Sequence, residues 1–90
     1  MEWRISANLI THNEERNIAS CLESLAWADE IVVMDGGSED ETVEIALRYT
    51  DQVFVHPFDD FASQRNRALD KSNGDWIFSI DADERVTADL

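Results

Sequence analysis

Ninety residues, 43% hydrophobic and 30% charged with a single proline, describe one globular unit and exclude both a disordered tail and a multi-domain chain. Twenty acidic residues against seven basic ones give a formal net charge of −13, spread from Glu2 to Asp89, which repels nucleic-acid backbones and anionic lipid surfaces. A domain of this size buries only about 60 to 65% of its unfolded surface, so separate donor and acceptor sites would crowd one small core, and the length suits part of an enzyme.

In chain order, Ile5 to Thr11 reads as an apolar strand that stops at His12-Asn13-Glu14-Glu15. Ile18, Cys21, Leu22, Leu25 and Ala26 then recur at helical spacing, with Glu14 and Glu15 expected in the first turn, where the helix dipole favours acids. Glu30 to Met34 is a β-branched run ended by Asp35-Gly36-Gly37, the pattern of a strand buried in a parallel sheet. Ser38 and Glu41 have capping-box spacing, and Val43, Ala46 and Leu47 supply the apolar face of a second helix. Gln52 to His56 reads as a third strand stopped by Pro57, and Asp60 as the cap of a third helix that runs to about Lys71 and stops at Ser72-Asn73-Gly74. Asp75 to Ile80 is the fourth strand, ended by Asp81-Ala82-Asp83-Glu84. The order βαβαβαβ with short connections predicts right-handed crossovers onto a four-stranded, mostly parallel, Rossmann-like α/β sheet.

Cys21 stands alone, which excludes an internal disulfide and a thiolate zinc cluster and fits a reducing compartment. At its helix-spaced position it reads as core. Trp3, Trp27 and Trp76 read as core or rim packing. No apolar run is long enough to span a bilayer and Met1 to Ser6 carries no signal-peptide pattern, so a cytoplasmic address is expected.

Ligands of open parallel sheets lie beyond the carboxyl ends of the strands. Those ends carry Thr11-His12-Asn13-Glu14, Asp35-Gly36-Gly37-Ser38 and Asp81-Ala82-Asp83, which should converge on one edge. Carboxylates crowded together are costly unless a cation relieves them, and an Asp-X-Asp at a strand end suits Mg²⁺ or Mn²⁺, with open positions left for water or phosphate. Simpler readings stand beside this one. Asp35 to Ser38 is equally a turn and helix cap, Asp81 to Glu84 a solvated acidic loop, His12 a surface histidine, and Arg65 and Arg67 members of surface ion pairs.

Taken together, the strings ITHNEERNIASCLESLAWADEIVVMDGGSEDETVEIA and QRNRALDKSNGDWIFSIDADERVT resemble the nucleotide-sugar-binding part of family 2 inverting glycosyltransferases with the GT-A fold. The likeness is greatest to the bacterial subgroup that builds lipopolysaccharide core and other cell-envelope glycans, and it spans Ile5 to Leu90. The resemblance implies that Thr11, His12, Asn13 and Glu14 border the nucleoside, with His12 near the base and Glu14 near the ribose. It implies further that Asp35 meets the uracil edge, that Arg65 lies near the nucleotide, and that Asp81 and Asp83 form a D-X-D motif holding Mg²⁺ or Mn²⁺ on the diphosphate, with contact to the ribose. Glu84 belongs to the subgroup's D-A-D-E variant and receives no role. The implied partners are a nucleotide-sugar donor, UDP-linked, and a glycan or lipid-linked glycan acceptor, at the cytoplasmic side of the bacterial inner membrane. The general base of an inverting transfer is a carboxylate downstream of the matching region, beyond Leu90, so residues 1–90 are expected to form a donor and metal-binding domain that lacks the acceptor half, with a sheet edge open to self-association.

Three other readings fit parts of the pattern. An aspartyl-phosphate phosphotransfer domain also places D-X-D after an apolar strand, but there the strand comes first. A receiver-like Mg²⁺-binding module shares the acidic edge but wants a lysine at a later strand end, whereas Lys71 closes a helix. A folded fragment without a ligand is the third.

Overall fold

Alternation along the first strand sets the architecture. In β1 (Ile5–Thr11), Ala7 and Leu9 point to one face of the sheet, and Ser6 and Asn8 to the other. All four are buried, so both faces are covered. The structure, a computed structural model, describes residues 3–83. After β1 come α1 (Ile18–Glu23), β2 (Glu30–Asp35), α2 (Thr42–Ala46), β3 (Val53–Val55), α3 (Phe61–Lys71) and β4 (Trp76–Asp81), the expected βαβαβαβ order.

All strand pairs are parallel, and the order across the sheet is β3-β2-β1-β4. The chain therefore steps outward from β1 to β3, then returns across the sheet through α3 to place β4 on the far side of β1. That reversal makes the β1/β4 boundary a topological switch point, where the loops at the carboxyl ends diverge and leave a crevice. The register sets Thr11 opposite Asp35 and Ile10 opposite Asp81, so the polar strand ends lie level.

The larger core lies under α1 and α2, where Ala7, Leu9, Val33 and Ile80 meet Ile18, Cys21, Leu22, Leu25 and Ala46. Each fully buried Leu or Ile there contributes about 1.5–3 kcal/mol. Beneath α3 the packing is more polar. Buried Gln64 donates through Nε2 to the His56 carbonyl at 3.0 Å, and Asn8 Nδ2 donates to Ser72 Oγ at 3.4 Å.

Several local expectations are corrected. Glu14 and Glu15 precede α1 rather than opening it, and a turn in which the Glu14 carbonyl accepts from Asn17 and Ile18 leads into the helix. Leu25 and exposed Ala26 lie past its end. Ser38 does not cap α2, because its hydroxyl donates to Asp35 instead; the helix starts at Thr42 with Glu41 before it and no side-chain cap. Thr42 and Ala46 are its buried residues, and Leu47 is 53% exposed. The third strand is shorter than expected, Val53 to Val55. The apolar run of β4 sits at a sheet edge, so Trp76 is 61% exposed and only Ile80 is buried. The tryptophans are rim residues, with Trp3 and Trp76 packed edge to face at 6.1 Å and Trp27 against Phe78 at 5.6 Å. The expected cap of the third helix is present, with Asp60 Oδ1 accepting from the Ser63 amide at 2.8 Å.

At the end of the sheet opposite the crevice, Ser6 Oγ donates to Glu30 Oε1 at 2.7 Å and accepts from the Gly74 amide at 2.7 Å, while the Asn73 amide donates to the same Glu30 oxygen at 2.8 Å. A Cβ on Gly74 would stand 2.6 Å from Ser6 Oγ and 2.7 Å from the Ser6 amide nitrogen. Gly74→Ala should therefore lower stability by about 1–3 kcal/mol, as overpacking does, measured as a lower urea midpoint.

Partial burial pushes the Glu30 carboxyl up, but hydrogen bonds from the Asn73 amide and the Gln52, Ser6 and Asn73 side chains outweigh it and hold the group at about 2, below its ordinary 4.5. A depressed carboxyl stabilises the fold fully above its unfolded value and loses that contribution as pH falls through the folded one. Glu30→Gln should accordingly be less stable than the parent at neutral pH, with the gap closing between about pH 4.5 and pH 2. Urea titrations at the two ends of that range read it directly.

Candidate functional site

The Asp35 side chain, 0% exposed, closes the crevice from below. Its Oδ1 accepts from Thr11 Oγ1 at 2.7 Å and Ser38 Oγ at 2.6 Å, and its Oδ2 accepts from the amides of Gly37 at 2.9 Å and Ser38 at 2.7 Å. Gly37 turns with φ 95°, a conformation glycine adopts without strain, which brings both amides round to the carboxylate. The Gly36 amide donates to the Thr11 carbonyl at 2.8 Å. Thus the β1 and β2 ends are one hydrogen-bonded block.

Asn13 extends that block. It adopts φ 53°, its amide donates to Ser38 Oγ at 2.8 Å, and its Oδ1 accepts from the Glu39 amide at 2.8 Å. Its neighbour Glu14 donates its amide to the buried Thr42 hydroxyl at 2.8 Å. The Glu14 Oε2 atom is buried and has no hydrogen-bond partner among the described residues. A buried oxygen in that state is costly unless a ligand or water completes it.

Above these ends lies a cleft of about 460 Å³ lined by Ile10, Thr11, His12, Glu14, Phe58, Phe61, Asp81, Ala82 and Asp83. Of the residues singled out in the sequence, it gathers Thr11, His12, Glu14, Asp81 and Asp83. Asp35 lies beneath, with both oxygens engaged inside the chain, and Asn13 braces the loop, so neither presents a side chain to the lining. Arg65, half-buried on α3, also lies outside the lining. Arg67 forms the ion pair expected of this segment, reaching both Asp59 oxygens at 2.9 and 2.6 Å and holding that carboxyl below the usual carboxylate range. Glu84 falls outside the described residues.

Three lining residues lie outside the polar strand ends that the sequence singles out: Ile10, Phe58 and Phe61. For the two phenylalanines a signal existed, the F-D-D-F spacing just past Pro57, which puts aromatic side chains on a loop and a helix start where no core is being built.

Among the described residues the lining holds three carboxylates, Glu14, Asp81 and Asp83, and no lysine or arginine. Among the described residues no three His, Cys, Asp or Glu side chains form a metal-binding group by themselves. Asp81 and Asp83 are exposed hard oxygen donors at the cleft, and two such carboxylates suit Mg²⁺ or Mn²⁺, which fills its remaining positions with water and ligand phosphate oxygens. The donor set fits a divalent ion shared with a phosphorylated ligand.

The all-parallel α/β sheet in the order β3-β2-β1-β4, with an acidic cleft at its switch point, has the GT-A architecture. The sequence pattern of glycosyl transferase family 2 matches residues 6–90, and the chain belongs to that family. Among its relatives, the lipopolysaccharide core biosynthesis glycosyltransferase LpsC of Rhizobium meliloti is 38% identical over 87 residues, covering 91% of this chain and 32% of that protein. Glucosyl-3-phosphoglycerate synthase from Mycobacterium tuberculosis, solved in complex with Mg²⁺ and uridine diphosphate, superposes with a TM-score of 0.77 at 27% identity, covering 92% of this chain and 35% of that one. Mannosyl-3-phosphoglycerate synthase from Rubrobacter xylanophilus, with a TM-score of 0.82 at 24% identity, covers 94% of this chain and 32% of that one and shares the fold. The chain thus spans about a third of the length of the curated relatives it matches. The phosphotransfer and receiver readings find no support in these likenesses.

Since Asp35 collects four donors, Asp35→Ala should strand two hydroxyls and two amides and cost about 3 kcal/mol or more. Urea unfolding measures the loss, and amide exchange at Gly37 and Ser38 should accelerate most.

Proposed function

We propose that this chain is the donor-binding part of a glycosyltransferase that moves a sugar from a UDP-linked donor to a cell-envelope glycan or lipid-linked glycan with inversion. The observation that carries the reading is the meeting of the β1 and β4 ends: Thr11, His12 and Glu14 from one, Asp81 and Asp83 from the other, on a single cleft at the switch point. The M. tuberculosis synthase, solved with Mg²⁺ and UDP, and LpsC, named for lipopolysaccharide core biosynthesis, support the donor and the acceptor class respectively.

In this reading each side chain has a chemical task. Glu14 Oε2, buried and lacking a partner, accepts a hydrogen bond from a ribose hydroxyl. Thr11 and His12 border the nucleoside, and Asn13 and Asp35 serve it from behind by fixing the loops. Arg65 adds positive potential from α3 without lining the cleft. Asp81 and Asp83 hold Mg²⁺ or Mn²⁺, which when bound neutralises charge growing on the departing diphosphate. Without a cation, a diphosphate beside three carboxylates would be repelled. The base that deprotonates the acceptor is assigned to a carboxylate beyond Leu90.

The setting proposed for the whole protein is the cytoplasmic face of the inner membrane; no helix among the described residues is long and apolar enough to cross a membrane. Self-association through the outer edge of β4, which pairs only with β1 among the described residues, belongs to the same proposal.

Calorimetric titration of the chain with UDP, with and without Mg²⁺, tests the core of this reading. Binding should tighten with Mg²⁺, Asp83→Ala should remove that gain while keeping the metal-independent part, and Glu14→Gln should weaken both. Absence of UDP binding by a folded chain under both conditions would refute it.

A further inference from the structure

Phe58 and Phe61 are 43% and 71% exposed, yet both line the cleft. Exposed phenylalanine is ordinary when scattered, whereas two rings in mutual contact on a cleft wall call for a partner. Here they pack edge to face with centroids 5.1 Å apart.

Backbone devices, rather than burial, hold them there. The Phe58 amide donates to the Gly36 carbonyl at 3.2 Å, and a Cβ on Gly36 would stand 3.2 Å from Phe58 Cβ, so the absent side chain lets the loop after β3 settle on the β2 turn. Phe61 opens α3 directly after the Asp60 cap, and Asp59, the residue between Phe58 and that cap, is clamped by Arg67. Arg67 in turn donates to buried Gln64, which bonds the His56 carbonyl. Fixing two apolar rings in solvent by this many polar contacts organises a surface before its ligand arrives.

Strand order says which part of a nucleotide would meet them. In β3-β2-β1-β4, Asp81 ends β4 and Asp83 follows it on one side of β1, whereas Phe58 on the loop after β3 bonds through its amide to the turn that follows β2 on the other side, with Phe61 against it at the start of α3. The acidic end suits a cation and phosphates. A phenyl ring offers no hydrogen bond and suits a flat apolar ring, and in a nucleotide that part is the base, which stacks on aromatic side chains whatever its sequence identity.

Resting on the nucleotide reading above, we infer that Phe58 and Phe61 form the wall against which the donor's nucleobase lies, with Phe58 bracing Phe61. The wall sets affinity for the base, and Asp81 and Asp83 set affinity for the phosphates.

The test compares UDP with inorganic pyrophosphate, each in Mg²⁺, on the chain and on Phe61→Ala and Phe61→Leu. Phe61→Ala should weaken UDP by about tenfold, within the range of base stacking on an aromatic residue, and leave pyrophosphate affinity unchanged. The uracil H5 and H6 resonances should move upfield on binding the parent chain and lose that shift with Phe61→Leu, which keeps apolar bulk and the helix start. Unchanged UDP affinity in Phe61→Ala, or equal losses for UDP and pyrophosphate, would overturn the wall while leaving the nucleotide reading in place. A parent chain that binds neither probe would remove the nucleotide reading, and the wall with it.

Discussion

A single carboxylate, that of Asp35, governs the geometry of the cleft. Leaving an ionised group out of water costs several kcal/mol unless hydrogen bonds replace the lost hydration. Here the Thr11 and Ser38 hydroxyls and the Gly37 and Ser38 amides replace it completely. Because Thr11 ends β1 and the other donors follow β2, satisfying the charge is the same act as joining the two strand ends. Ser38, held by Asp35, then receives the Asn13 amide, and Asn13 receives the Glu39 amide. The loop that carries His12 and Glu14 therefore takes its position from a carboxylate that is itself buried and outside the cleft lining.

The acidity of the chain becomes intelligible from the same place. A net charge of −13 is a poor background for an anionic ligand, and among the described residues no lysine or arginine lines the cleft to offset it. What the cleft has is a pair of exposed carboxylates at the end of β4 and a buried carboxylate oxygen of Glu14 that has no partner among the described residues. Acidic residues near an anion are coherent chemistry when a divalent cation stands between them.

Much of this was legible in the residues, and the failures have physical causes. Continuous apolar runs bounded by polar strand ends located all four strands, and the alternation with helical periods implied the parallel sheet, because both are set by burial. Ser38 was misread because its capping spacing to Glu41 is a local signal, and the tertiary carboxylate of Asp35 competes for the same hydroxyl. Trp76 reads as core or rim and proves to be rim, because β4 is an edge strand, and strand order is decided by crossovers that no single segment encodes. Phe58 and Phe61 follow Pro57, which reads as a strand stop, and both are exposed at a loop and a helix start, so neither belongs to a burial pattern of strand or helix period. Arg65 shows the reverse, a residue whose motif is plain and whose side chain lies outside the cleft lining.

The strand order also explains why such a cleft is asymmetric. β1 is central and supplies Thr11, His12 and Glu14 to the middle of the lining. On its one side β4 ends in carboxylates, and on its other the loop after β3 folds back over the β2 turn and carries aromatic rings. A sheet built outward in one direction and then reversed delivers two chemically different loops to the two flanks of its first strand. In the proposed function, a nucleotide donor lies across that strand with its phosphates toward β4 and its base toward the aromatic pair. The reversal that creates the crevice also gives it a polarity.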